Sequence, residues 1–134
     1  MSQVLVFREL PADLLARLRA RHDVAVADPR KSGQHAAFLA ALPTAEALIG
    51  SSYPITDALL AQAPRLKLIS SISVGVDNYP LAALKARGIA LCHTPGVLTE
   101  TTADTIFALT MATSRRIVEL AQLVREGRWT KNIG

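Results

Sequence analysis

Between Val4 and Cys92, short apolar runs alternate with amphipathic stretches, which confines the chain to β/α units on a mainly parallel sheet. Residues 4–7, 24–27, 47–49, 66–72 and 89–92 read as strands. Residues 11–21, 34–42 and 80–87 read as helices, and a short helix introduced by Pro54 and Thr56 runs through Gln62. The 66–72 segment is the most continuous apolar run, which places it at the sheet centre. Gly88 stands where a left-handed residue would close the preceding helix. The expected fold class is therefore α/β, a flavodoxin-like open parallel five-stranded sheet.

The pattern changes after Pro95. Thr99 or Thr101 can cap a long helix, and Thr101 with Asp104 has the spacing of a capping box. Ala103, Ile106, Phe107, Met111, Ile117, Val118, Ala121 and Val124 recur on one face at helical intervals. Leu109, Ala112, Leu120 and Leu123 widen that face. A helix so broadly apolar must be covered. The five strands already have their complement of helices, so the expected cover is a second domain or a subunit partner. Residues 127–134 add no core-forming segment. The chain is accordingly expected to stop at a junction, with residues 1–98 forming one domain and residues 99–134 opening another.

Composition excludes several classes. Half of the 134 residues are hydrophobic, enough for a substantial core. The formal charge is +4, but from Arg115 onward five bases face two acids, so most of the excess sits near a helix end. Cations there complement the helix dipole, and no basic stripe with interleaved aromatics points to nucleic acid. The longest uncharged helical run, residues 105–114, falls far short of the roughly 20 apolar residues a membrane span requires. No basic segment followed by an apolar one opens the chain, so a secretory leader is not expected. Cys92 is the single cysteine, which rules out an internal disulfide and fits a reducing cytoplasm. Its position in an apolar strand makes it an expected core thiol. His22 and His35 lack Cys or acidic partners at ligand spacing, so no metal site is expected.

The segment Ser71-Ile72-Ser73-Val74-Gly75-Val76-Asp77-Asn78 follows the fourth strand, where open α/β sheets bind ligands. A glycine there would let the backbone curl until successive N–H groups converge on an anion. The plainer possibility is a glycine turn in which Asp77 caps the next helix.

Several motifs occur in a telling order: Pro54-Ile55-Thr56, Pro64-Arg65-Leu66-Lys67-Leu68-Ile69, Val74-Gly75-Val76-Asp77-Asn78 and Ala86-Arg87-Gly88-Ile89. They continue with His93-Thr94-Pro95-Gly96, Thr102-Ala103-Asp104-Thr105, Arg115-Arg116 and Gly127-Arg128-Trp129. In this order the chain resembles the first domain of the D-2-hydroxyacid dehydrogenases. Ser71-Ile72-Ser73-Val74-Gly75 with Leu98-Thr99-Glu100-Thr101 is most similar to the 2-ketoaldonate, or glyoxylate/hydroxypyruvate, reductase branch.

The resemblance implies that backbone amides of Val74 and Gly75, with Val76 adjacent, hold the carboxylate of a small 2-oxoacid. It implies that the long helix belongs to a Rossmann domain absent from this chain. Thr102 then either approaches the nicotinamide end of the cofactor or bonds local backbone. Asp77 is expected to cap or brace the loop rather than to carry protons. Trp129 is expected to anchor the end of the long helix. The parent would reduce glyoxylate, hydroxypyruvate or 2-ketogluconate with NADPH or NADH, as a cytoplasmic homodimer. Its catalytic arginine and histidine–glutamate pair would lie later in the parent chain, so His93 is discounted and no catalytic residue is expected here. The sequence also lacks the G-x-G-x-x-G phosphate loop, its glycines at 33, 50, 75, 88, 96, 127 and 134 all being isolated. By itself the chain should neither bind NADP or NAD tightly nor catalyse. The alternative is a stand-alone carboxylate-binding or dimerisation module.

Overall fold

The computed structural model describes residues 2–132. The chain divides into two compact units, Met1–Pro95 and Gly96–Gly134. The first contains strands β1 (Gln3–Val6), β2 (Asp23–Val26), β3 (Ala47–Gly50), β4 (Leu68–Ser71) and β5 (Ala90–Cys92). Every neighbouring pair is parallel, in the order β2-β1-β3-β4-β5. This is the open flavodoxin-like sheet expected from the alternation, with its centre corrected from β4 to β3. The 66–72 run misleads because Lys67, Ser70 and Ser71 interrupt it and because it is longer than its strand. Leu66 is buried in the connection before β4, and Ile72 lies beyond it, 42% exposed.

The connections are α1 (Ala12–Arg19), α2 (His35–Ala41) with a 3-10 turn at Leu42–Thr44, α3 (Asp57–Ala61) and α4 (Leu81–Ala86). The β1–β2 connection runs along the sheet in the opposite direction to the other three. With right-handed crossovers, α1 therefore lies on one face and α2, α3 and α4 on the other. Strand alternation sends Leu5, Phe7, Leu48 and Ile69 to the latter face, where they form one cluster with Phe38, Leu42, Leu60 and Leu84. The Phe7 ring occupies the space where a side chain on Gly50 would lie, 2.6 Å from its would-be Cβ. It meets Phe38 edge-on at 6.1 Å. Each such side chain, fully buried, contributes roughly 1.5–3 kcal/mol.

The opposite face is covered less completely, contrary to the expectation that the helices suffice. No residue of α1 is buried, and Val26 and Ile72 remain 46% and 42% exposed. Between α1 and the sheet lies an apolar concavity of about 920 Å³ lined by Leu10, Leu14, Leu18, Ile49 and Ile72.

Local chemistry fixes the ends of these elements. Gly88 takes φ +66° after α4, Ile89 N–H donates to Leu84 C=O, and Gly88 N–H donates to Lys85 C=O. Buried Leu84 and Ile89 complete this Schellman closure. At the end of β2, buried Asp28 accepts from the Arg30 guanidinium at 2.6 and 2.9 Å. That hydrogen bond, more than any other influence, lowers the Asp28 carboxyl to about 2.

The second unit corrects the single long helix to two, α5 (Thr99–Ser114) and α6 (Ile117–Arg125). Arg116 between them adopts φ +53°, and its N–H closes onto Thr113 C=O. Its guanidinium pairs with Glu119 in the first turn of α6. Apolar residues continue through this point from α5 into α6, which hides the break. Nor does a threonine cap α5: the N-cap is Leu98, and the Thr101 hydroxyl donates to Leu98 C=O at 3.2 Å. Ile106, Phe107, Leu109, Ile117 and Val118 are more than half exposed. No helix among the described residues is long and apolar enough to cross a membrane.

Candidate functional site

The segment from Ile72 to Asn78 leaves the carboxyl end of β4. Ile72 N–H donates to Gly50 C=O at 2.9 Å, and Tyr79 N–H donates to Val76 C=O at 3.0 Å. Between these bonds, no backbone N–H from Ser73 to Asn78, those of Val74, Gly75 and Val76 among them, has a hydrogen-bond partner among the described residues. Val74 and Gly75 are exposed, while Val76 packs partly against the core. The sequence-derived trio thus lies within a run of unpaired donors on a loop anchored at both ends. Unpaired backbone donors on an accessible loop suit an anion with several acceptor oxygens.

Gly75 serves this loop in a different way from that expected. Its φ is not positive, so no left-handed curl depends on it. What it provides is the absence of a side chain over exposed backbone. Asp77 does not cap α4, whose N-cap is Pro80 without a side-chain bond. Its carboxylate instead lies beside Gly75, 3.2 Å from where a Cβ would stand. That negative charge opposes an incoming anion and raises the demand on the amides.

The other face of the loop is tied to the residues that follow β5. Thr94 N–H donates to Ser73 C=O at 3.0 Å, and His93 Nδ1 lies 2.9 Å from Val74 C=O. A carbonyl only accepts, so Nδ1 carries the proton in this contact. Sequence reasoning weighed His93 only as an acid and missed this role. Its signal was the placement of an exposed polar side chain directly after an edge strand. Cys92 is exposed rather than a core thiol, because β5 is the last strand and Cys92 alternates with Leu91 onto the less covered face. Among the described residues no cluster of His, Cys, Asp and Glu could hold a metal ion.

In the second unit, Thr102 is exposed in the first turn of α5, and its hydroxyl has no partner among the described residues. Local back-bonding falls to Thr101 and Thr105 instead. Trp129 is 59% exposed and lines a hollow of about 280 Å³ with Leu120, Leu123, Val124 and Asn132. It therefore meets the end of α6.

A family model described as "D-isomer specific 2-hydroxyacid dehydrogenase, catalytic domain" matches residues 4–126. The chain belongs to that family. Among curated relatives of this chain, glyoxylate/hydroxypyruvate reductase B of Citrobacter koseri is 46% identical over 98% of the chain. The protein of the same name from Escherichia coli (strain K12 / DH10B) is 48% identical over the same share. The chain spans 40% of the length of each. A solved NADPH-dependent glyoxylate/hydroxypyruvate reductase of Sinorhizobium meliloti, in complex with citrate, aligns at a TM-score of 0.74 and 28% identity. That alignment covers 96% of this chain and 40% of the other.

Proposed function

We propose that this chain supplies the carboxylate-holding part of an NAD(P)H-dependent 2-oxoacid reductase. Its substrate would be glyoxylate, hydroxypyruvate or 2-ketogluconate, reduced to the D-2-hydroxyacid. The observation that carries the reading is the run of unpaired amides at Val74, Gly75 and Val76, on a family member whose relatives are glyoxylate/hydroxypyruvate reductases. In this reading residues 1–98 form the substrate domain and residues 99–134 open the cofactor domain. The free hydroxyl of Thr102 would face the nicotinamide end of the cofactor. The exposed apolar faces of α5 and α6 support a homodimeric parent, and the exposed unpaired thiol of Cys92 suits a reducing cytoplasm.

The residues present do not fit a dinucleotide. No glycine-rich phosphate loop occurs in the sequence, and one free hydroxyl is a poor substitute for a row of amides at a helix N-terminus. NADP or NAD therefore belongs to the parent, as its hydride source. This chain's part is to bind and orient the acid, so that the carbonyl to be reduced is held at a fixed distance from its anchored carboxylate.

Titration of the purified chain with glyoxylate, followed by amide NMR, tests the reading. The Val74, Gly75 and Val76 resonances should shift, and methyl glyoxylate, lacking the carboxylate, should leave them in place. Unmoved resonances with glyoxylate would sink the carboxylate assignment. The same sample mixed with NADPH and glyoxylate should show no turnover. Turnover at the rate of an intact relative would overturn the assignment of catalysis to the rest of the parent.

A further inference from the structure

We infer that His93 is a positioning residue, which sets the direction of the amides that meet the substrate carboxylate. The inference rests on the carboxylate reading above and goes beyond it. In a trans peptide the C=O and the following N–H point in opposite directions, and the described residues contain no cis bond. Fixing the Ser73 carbonyl therefore fixes the Val74 N–H, and fixing the Val74 carbonyl fixes the Gly75 N–H. Both carbonyls are held by the turn after β5, one by the Thr94 backbone and the other by the His93 ring.

Successive carbonyls of an extended chain point to opposite sides. Here two successive carbonyls are drawn to adjacent residues of one turn. The two peptide units consequently face the same way, and their N–H groups are directed together, away from β5. A donor pair held in this arrangement loses little freedom when an anion arrives. The Thr94 contact uses backbone and is available to any residue there except proline. The His93 contact depends on the side chain. His93 is exposed and makes no other hydrogen bond among the described residues, so this contact is the only polar use of its ring.

Two variants separate the donor from the ring. His93→Phe keeps an aromatic ring but loses the donor at the Nδ1 position. His93→Asn loses the ring but keeps an N–H one bond from Cγ, where Nδ1 stands. In the ligand-free chain, the Gly75 amide resonance should move in His93→Phe and stay close to its original position in His93→Asn. Glyoxylate affinity, read from the Val74–Val76 shifts, should fall by roughly threefold to tenfold in His93→Phe, the loss expected for one hydrogen bond. His93→Asn should restore it, with core methyl resonances unchanged in both variants.

Wild-type affinity in His93→Phe would overturn the positioning role and leave the carboxylate reading standing. Equal loss in both variants would also overturn it, because the ring and not its donor would then matter. A wild-type chain whose Val74–Val76 amides ignore glyoxylate would overturn the carboxylate reading, and this inference with it.

Discussion

Single residues govern this molecule mainly through backbone groups and one buried charge. Asp28 illustrates the second. Its carboxyl titrates near 3.8 when unperturbed and at about 2 in the fold, chiefly because the Arg30 guanidinium is bonded to it. A depressed acid stabilises the fold when both states are ionised. The contribution is therefore complete above the unfolded value and disappears as pH falls through about 2, and it amounts to on the order of 2 kcal/mol. Asp28→Asn should lower stability at neutral pH by about 1–3 kcal/mol in urea melts. The gap from wild type should narrow as the medium approaches the folded value. A gap that stayed constant from neutral pH into strong acid would exclude this account. Val74, Gly75 and Val76 show the other kind of residue. Their side chains carry no polar chemistry, and the site proposed for them rests on backbone hydrogen bonds traced one by one.

Elements are set by their ends as much as by their interiors. The Schellman closure after α4 places Gly88 at φ +66° and joins the helix to β5 through Leu84 and Ile89. No atom lies within 4 Å of a Cβ built on Gly88, so substitution there would meet backbone strain and no clash. Gly88→Ala should therefore cost about 1 kcal/mol in thermal or urea unfolding, while the glyoxylate-induced shifts of the β4 loop persist. A neutral or stabilising effect would contradict the left-handed assignment. The break between α5 and α6 shows the limit of reading elements from periodicity. Gly88 announces its conformation through residue type. Arg116 at φ +53° does not, because arginine rarely adopts that region and no local rule marks the place. The same holds for β4, where the 66–72 segment extends past both ends of the strand that it contains.

The whole chain exposes more apolar surface than a self-sufficient domain would. Phe107, Leu109 and Val118 are between 63% and 74% exposed, and one face of the sheet retains an open apolar concavity beside α1. The purified 134-residue chain should therefore associate with rising concentration, as light scattering after size exclusion would report. A monodisperse monomer at high concentration would show that these surfaces do not drive contact.

What the sequence determined by itself follows from rules that act locally. Hydrophobic alternation specified five parallel strands, glycine specified the Gly88 closure, and ordered motifs specified the family. What required the tertiary structure depends on which groups the fold brings together. Strand order made β3 the centre and β5 an edge, which turned Cys92 outward. Pairing of the β4 loop with the turn after β5 joined Val74 to His93, residues nineteen positions apart. No period or propensity encodes such a pairing, because a backbone amide is chemically alike at every non-proline position and gains a function only from the partners it lacks.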